Sequence, residues 1–266
     1  MKQRVISAVV MLLILGICLF VSPITRALIV AFCAIVSVYE MGKCYKALGR
    51  KTQTAPIMAY VVVHTILCLV GAETWALIGA FLAALYFILM FSICVKSYRQ
   101  TSEYSLAILC YPVVLYAVVI RIMQQEDWLA ICAVAALSTW FCDSFALFGG
   151  KRFGKHKLSP EVSPKKTWEG SLCGAASSIV AGIIAWLFIQ SEGTYPFWLC
   201  AIVGLIASTM GQFGDLAASL FKREAGLKDY SNLIPGHGGM MDRADSLLFS
   251  IPTTWVCMEL YKLLTA

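Results

Sequence analysis

The feature that most constrains this chain is a succession of long apolar runs separated by short polar segments. A helix needs about 20 apolar residues to cross the hydrocarbon core of a bilayer. Nine runs approach that length, at residues 5–22, 25–41, 56–72, 75–95, 105–120, 128–149, 169–190, 197–217 and 247–264. The chain is 60% hydrophobic and 14% charged, whereas soluble domains have about 25% charged residues. The sequence therefore predicts an all-α, polytopic integral membrane protein with about nine transmembrane helices.

The first apolar run could be mistaken for a secretory signal, because Lys2 and Arg4 precede it. The run extends from Val5 to Val21, which is longer than the usual signal core, and no clear small-x-small cleavage site follows. A second run begins almost at once. We therefore expect the first run to remain as an uncleaved helix.

The distribution of basic residues predicts the orientation in the membrane. With nine spans and a cytoplasmic N-terminus, all but three of the 21 basic residues fall in cytoplasmic segments; the exceptions are Arg26, Arg121 and Lys262. The positive-inside rule predicts such a bias. The net charge of +6 is then a property of the cytoplasmic face, where it suits anionic lipid headgroups or nucleotides. We expect a multi-pass protein of the inner (plasma) membrane whose polar site faces the cytoplasm.

The composition indicates no separate globular domain, so residues 1–266 are predicted to form one membrane domain. Within it, residues 1–127 are expected to form scaffold helices with dimer or lipid contacts. Residues 128–266 are expected to form the catalytic helices and cytoplasmic loops. Nucleic acid is excluded as a partner, because no basic segment is interleaved with exposed aromatic residues. The 11 cysteines form no Cys-x-x-Cys pair and indicate neither a zinc site nor a disulfide framework.

Two ionisable residues of the first five runs are expected to have structural roles. Glu40 ends the second run and is predicted to lie at the interface, where Lys43 can pair with it on the same helix face. His64 stands in an apolar run with no acidic partner nearby in sequence. A packed or hydrogen-bonded histidine is therefore favoured over a ligand.

Four carboxylates in the later runs mark a candidate site. Asp143 lies late in the sixth run and Asp215 ends the eighth. A charge within a span is costly and indicates function by default, although Asp143 could also be a structural partner of a loop lysine. Asp242 and Asp245 follow at i and i+3, at the start of the ninth helix. The predicted topology places all four near the cytoplasmic ends of three helices, where we expect them to converge.

A cation is expected among these carboxylates, because clustered carboxylates repel one another unless their charge is neutralised. Magnesium is the predicted ion, since it takes one or two carboxylates together with substrate phosphates. The number of carboxylates would also allow a second cation.

A basic segment precedes the seventh helix. The charges of Lys151 and Arg152 fit the positive-inside rule alone. The segment Ser163–Thr167 instead places two lysines and two hydroxyls directly before a helix. A helix N-terminus presents free N–H groups and the positive end of the helix dipole, which favour phosphate. Phosphate binding is therefore predicted here, with simple topology charge as the alternative and Thr167 as the cap of the helix.

A second polar segment follows the eighth run. Lys222 and Arg223 come two turns after Asp215, and Lys228-Asp229 follows. The sequence Ile-Pro-Gly-His-Gly-Gly at 234–239 cannot continue a helix and predicts a tight turn. The backbone N–H groups of such a turn could form an anion-binding nest.

This second segment resembles the signature of the phosphatidate cytidylyltransferase (CDP-diacylglycerol synthase) family. The matching residues are Ser219, Lys222, Arg223, Lys228, Asp229, Ser231, Pro235, His237, Gly238, Gly239, Asp242, Arg243 and Asp245. Ala244 departs from the pattern, because the family usually has a larger apolar residue or Thr there. Asp143-Ser, Phe153–Leu158 and Ser163–Gly170 also resemble the family. The resemblance is strong over residues 138–250 and weak over the first five runs.

The resemblance implies transfer of CMP from CTP to phosphatidic acid, giving CDP-diacylglycerol and pyrophosphate, by a homodimer among membrane lipids. On this basis Asp215 and Asp242 are expected to be the main magnesium ligands, with Asp143 and Asp245 binding directly or in support. Lys222 and Arg223 join Asp215 and Asp242 as the expected catalytic residues. The expected substrate-binding residues are Ser163, Lys166, Thr167, Ser219, Lys228, Asp229, His237, Gly238, Gly239 and Arg243.

Two other functions are compatible with the sequence. A transporter or channel for an anionic solute would share the nine spans and Asp143, but it usually has its site at mid-bilayer. A nucleotidyl or phosphoryl transferase that uses another lipid phosphate would share the charged segments.

Overall fold

The computed structural model describes residues 16–95, 102–189, 195–233 and 238–265. Its helices and strands, in chain order, are α1 (Pro23–Ala47), α2 (Thr54–Leu69), α3 (Thr74–Cys94), α4 (Ser102–Ile108), α5 (Val114–Ile122), α6 (Trp128–Phe153), β1 (Lys157–Ser159), β2 (Ser163–Thr167), α7 (Trp168–Ile189), α8 (Phe197–Glu224) and α9 (Met241–Thr265). A π-helical turn at Leu109–Val113 lies between α4 and α5.

The apolar runs of the sequence are helices. Among the described residues, six helical segments are long and apolar enough to cross a membrane: α1, α3, Ser102–Ile122, α6, α7 and α8. The apolar helix α2 has 16 residues and is shorter. The prediction of an all-α polytopic membrane protein is thereby confirmed. The first predicted run lies mostly outside the described residues, so the count of nine spans and the orientation stay predictions.

One small element departs from the all-α expectation. Strands β1 and β2 form an antiparallel hairpin in which Lys157 pairs with Thr167 and Ser159 with Ser163. The sequence does not predict this hairpin, because strands this short carry no clear alternation of apolar and polar residues. The hairpin determines where its lysines lie relative to α7.

The chain packs into two compact units. The first comprises Met1–Gln125 and Phe221–Arg243, and the second comprises Glu126–Leu220 and Ala244–Ala266. Helices α8 and α9 therefore contribute residues to both units.

In the first unit, polar contacts join helices that are distant in sequence. The hydroxyl oxygens of Ser37 in α1 and Tyr116 in α5 lie 2.9 Å apart. His64 in α2 is buried, and its Nε2 lies 3.0 Å from the carbonyl oxygen of Ala117 in α5. The prediction of a hydrogen-bonded histidine is confirmed. These contacts give α1, α2 and α5 a common core.

In the second unit, small residues let α6 and α7 approach closely, as in many membrane helix pairs. A Cβ atom at Gly174 would lie 2.6 Å from the carbonyl oxygen of Cys142. Gln212 of α8 joins both helices: its Oε1 accepts a hydrogen bond from Ser171 Oγ at 2.6 Å, and its Nε2 lies 3.2 Å from Cys142 Sγ. This bridge holds α8 next to the position of Asp143.

Candidate active site

An ion pair at the end of the hairpin forms the centre of the polar group in the second unit. Lys166 Nζ lies 2.6 Å from Asp215 Oδ2, and the two side chains are 26% and 30% exposed. The next residue, Thr167, accepts a hydrogen bond from the Gly170 N–H at 3.2 Å and so caps α7, as predicted. Lys166 is thus held between a strand pairing and a helix cap.

Asp143 is the second carboxylate of this group. Its side chain is exposed, and it interacts electrostatically with both Asp215 and Lys166. Within the described ranges it has no hydrogen-bond or ion-pair partner. Asp143 and Asp215, two of the four carboxylates predicted to converge, therefore lie close enough to interact through their charges.

Asp245 belongs to the same unit and comes from the adjacent helix. A Cβ atom at Gly214 would lie 2.5 Å from the carbonyl oxygen of Asp245, so the backbones of α8 and α9 touch one residue before Asp215. The Asp245 side chain is buried, and its Oδ1 accepts a hydrogen bond from the Ser246 N–H at 2.8 Å. Three of the four predicted carboxylates thus belong to the second unit.

Asp242 is the centre of a second polar group, in the first unit. Its Oδ1 accepts from Lys222 Nζ at 2.7 Å, and the two side chains are only 3% and 10% exposed. Its Oδ2 accepts from the N–H groups of Tyr230 and Gly239, both at 2.9 Å. The aromatic ring of Tyr230 also lies beneath Lys222, with 5.5 Å from Nζ to the ring centroid. Asp242 therefore ties the segment after α8 to the first turn of α9.

Glu40 has partners that the sequence did not predict. It is 1% exposed, and it binds residues around the start of α9 instead of Lys43. Its carboxylate accepts hydrogen bonds from Ser231 Oγ at 2.5 Å and from the N–H groups of Met240 and Met241 at 3.0 and 2.8 Å. The only sequence signal was an acidic residue at the end of an apolar run, which does not identify so distant a partner.

The remaining predicted site residues differ in exposure and in hydrogen bonding. Ser219 Oγ lies 3.4 Å from Asp215 Oδ1, and Arg223 Nη1 donates to the carbonyl oxygen of Leu227 at 3.0 Å. Ser163 is half-buried in β2, and Gly238 has a φ of 83°, which favours glycine. Lys228, Asp229 and Arg243 are exposed. His237 lies outside the described residues.

The sequence matches the sequence model of the cytidylyltransferase family over residues 2–261. The chain belongs to the cytidylyltransferase family. Three curated relatives are each named phosphatidate cytidylyltransferase. The protein of Staphylococcus haemolyticus is 41% identical over 128 residues, which are 48% of this chain and 48% of the relative. That of Bacillus subtilis is 40% identical over 147 residues, 55% of this chain and 54% of the relative.

The third relative, from Rickettsia prowazekii, is 32% identical over 173 residues, which are 62% of this chain and 73% of the relative. The chain thus spans about half the length of the first two relatives. Family membership is established over nearly the whole chain.

The donor chemistry of this cytidylyltransferase family member fits a magnesium ion at one of its two polar groups. Carboxylate oxygens are the protein ligands that Mg²⁺ prefers, usually one or two of them beside substrate phosphates. Asp143 and Asp215 provide two carboxylates against one lysine. Both oxygens of Asp242, by contrast, already accept hydrogen bonds from the protein. Within the described ranges, no cluster of three or more His, Cys, Asp or Glu side chains could hold a metal by itself, so the magnesium ligands stay predictions.

Proposed function

We propose that this chain is a phosphatidate cytidylyltransferase, which transfers CMP from CTP to phosphatidate and gives CDP-diacylglycerol and pyrophosphate. The family and the names of the relatives support this activity. The observation that carries the proposal is the group formed by Asp143, Lys166 and Asp215, because it puts partly exposed carboxylates on long apolar helices beside a lysine of the hairpin. An enzyme that joins a lipid to a nucleotide needs such a site.

The proposed reaction joins two anions. The nucleophile is a phosphate oxygen of the lipid, which is already ionised at neutral pH and needs no strong base. Its bond to the α-phosphorus of CTP forms while the bond from that phosphorus to pyrophosphate breaks. Catalysis therefore depends on holding the two phosphates in line and on neutralising their charge.

The group in the second unit has side chains for both tasks. Lys166 can hold a phosphate of either substrate, because its position is fixed by β2 and by the cap of α7. Magnesium bound by Asp143 and Asp215 would neutralise phosphate charge. Asp245, on the adjacent helix, is proposed to support these ligands, and a second cation remains part of the proposal.

The group in the first unit is proposed to serve the nucleotide. Lys222, Arg223 and Lys228 carry the positive charge that CTP phosphates require. The Lys222–Asp242 ion pair keeps the lysine in a fixed position.

The proposed arrangement in the membrane follows the charge distribution. Nine spans with a cytoplasmic N-terminus would bring the polar segments to the cytoplasmic side of an inner membrane. CTP would then enter from the cytosol, while phosphatidate enters sideways from the lipid leaflet. Assembly as a homodimer is part of the same proposal.

A product assay tests the proposed function. Purified protein is supplied with labelled CTP, phosphatidate and Mg²⁺, and the labelled lipid is identified by mass spectrometry. We expect CDP-diacylglycerol and one equivalent of pyrophosphate. A different labelled liponucleotide, formed only with another lipid phosphate, would replace phosphatidate as the substrate. Uptake of an anionic solute into proteoliposomes without any labelled lipid would favour a transporter and contradict the proposal.

A further inference from the structure

We propose that Glu40 is a positioning residue, which fixes the first turn of α9 and thereby the Lys222–Asp242 pair. The proposal rests on the proposed function, because it assigns this pair to the nucleotide. Glu40 lies near the C-terminal end of α1, and the residues it binds lie about 200 positions later in the sequence. Its contacts therefore join the N-terminal helices directly to the signature segment, within the first unit.

Hydrogen-bond donors around Glu40 satisfy its buried carboxylate. The first N–H groups of a helix have no partner inside that helix, and the helix dipole favours an anion there. Glu40 Oε2 accepts from the Met241 N–H, and Oε1 accepts from the Met240 N–H and from Ser231 Oγ. A buried charge without such partners would be strongly unfavourable. The interaction thus stabilises both the carboxylate and the start of α9.

Glu40 and Asp242 bind successive amides of one turn. The Gly239 N–H donates to Asp242, and the next two N–H groups, of Met240 and Met241, donate to Glu40. Gly239 itself lies against the Glu40 carboxylate, since a Cβ atom there would be 2.6 Å from Glu40 Oε1. A shift of this turn would therefore displace Asp242, and Lys222 would lose its fixed partner.

This arrangement determines which amides at the start of α9 are occupied. The turn at 234–239 was predicted to offer its amides to phosphate, and residues 234–237 lie outside the described residues. Three consecutive N–H groups, from Gly239 to Met241, are donated to the protein's own carboxylates. The Lys222 side chain, held in place by Asp242, is the group that we assign to the nucleotide phosphates. Glu40 acts on the substrate only through this pair.

The test compares Glu40→Gln with two matched variants. Glu40→Gln keeps the volume but replaces one acceptor oxygen with an NH₂ group that faces amide donors. Ser231→Ala removes only one of the three hydrogen bonds. Lys43→Ala removes an exposed charge on the same helix as Glu40. The Lys43 side chain does not contact the described residues of the turn. Amide hydrogen exchange of residues 238–245 and affinity for labelled CTP are measured in each variant, together with kcat and KM for both substrates.

For Glu40→Gln we expect exchange at Met240 and Met241 to rise by about tenfold or more, because their partner is lost. We expect CTP affinity and kcat/KM for CTP to fall by about 10- to 100-fold, since misplaced groups cost this much, while KM for phosphatidate stays within about twofold. The exchange rates and CTP affinity of Ser231→Ala should fall between those of Glu40→Gln and wild type. Those of Lys43→Ala should match wild type.

Two results would overturn the proposal. One is wild-type exchange at Met240 and Met241 in Glu40→Gln. The other is faster exchange and a lower melting temperature with unchanged CTP affinity, which would make Glu40 purely structural. If wild-type protein forms no CDP-diacylglycerol, the proposed function fails. Exchange and CTP affinity would still decide the role of Glu40.

Discussion

Two groups in the second unit carry the same number of positive and negative charges but have different environments. In one, Lys262 Nζ lies 2.8 Å from Asp127 Oδ2 and 2.8 Å from Glu259 Oε1, and Tyr195 OH donates to Asp127 Oδ2 at 2.5 Å. The other contains Asp143, Lys166 and Asp215. Each has two carboxylates and one lysine, so the charge count does not distinguish them.

The difference lies in how the carboxylates are satisfied. In the Asp127 group, both carboxylates contact the lysine directly, and a tyrosine hydroxyl adds a further hydrogen bond to Asp127. In the Asp215 group, the lysine contacts only Asp215, and Asp143 has no such partner in the described ranges. A group whose charges satisfy one another stabilises the fold, whereas an incompletely satisfied carboxylate can accept a ligand. This comparison supports a structural role for Asp127 and a functional role for Asp143.

The largest effect is expected for Asp215→Asn. The change removes the charge that pairs with Lys166 and one of the two carboxylates proposed for magnesium. Formation of CDP-diacylglycerol should fall by about 10²- to 10³-fold, the usual cost of removing an electrostatic catalytic group. Turnover is measured in detergent micelles beside the melting temperature, which should change by only a few degrees. Turnover within twofold of wild type would remove Asp215 from the site.

A smaller effect on turnover, with an opposite effect on stability, is expected for Asp143→Asn. Turnover should fall by about 10- to 100-fold, because a proposed magnesium ligand is lost. The melting temperature should stay the same or rise, because repulsion between Asp143 and Asp215 is relieved. The melting temperature is measured by thermal unfolding monitored by tryptophan fluorescence. A clear drop in melting temperature would mean that Asp143 is structural, like Asp127.

The smallest effect on turnover is expected for Asp127→Asn. The protein should be destabilised by about 1–3 kcal/mol, the cost of leaving a partly buried group unsatisfied, while turnover per folded molecule stays at the wild-type level. Thermal unfolding and turnover are measured on the same preparation. A loss of turnover beyond the loss of folded protein would contradict the structural role.

The destabilisation by Asp127→Asn should also depend on pH. Burial alone would raise the pKa of the Asp127 carboxyl, but the hydrogen bonds from Lys262 and Tyr195 outweigh it and hold the pKa below its ordinary value. The stabilisation is therefore present above the unfolded pKa of about 4 and is lost as the pH falls through the lower folded value. The difference in melting temperature between wild type and Asp127→Asn should shrink below about pH 4. A constant difference down to pH 3 would contradict this assignment.

The sequence predicted those parts of the molecule that depend on local patterns. Apolar runs gave the positions of the helices, and a hydroxyl before an apolar run gave the Thr167 cap of α7. Asp143 and Asp215 each lie late in their runs, and two spans separated by a single span run in the same direction, so the sequence predicted that these residues lie near each other.

The features that escaped prediction depend on contacts between distant residues. Glu40 binds Met241 from 201 positions away, and no local pattern identifies such a partner. The strands of the hairpin have three and five residues, too few for a periodic signal. Asp242 resembled a metal ligand in its motif, but its three protein donors include amides of Tyr230 and Gly239 that only the folded chain brings together.

The magnesium dependence of CTP binding tests the central claim most directly, because it requires no turnover. Labelled CTP is titrated at a series of Mg²⁺ concentrations into wild type, Asp143→Asn and Asp127→Asn. If the Asp143–Asp215 group holds the cation, Asp143→Asn should need about tenfold more Mg²⁺ for half-maximal binding, and Asp127→Asn should match wild type. Equal magnesium dependence in wild type and Asp143→Asn, or a shift confined to Asp127→Asn, would contradict the account.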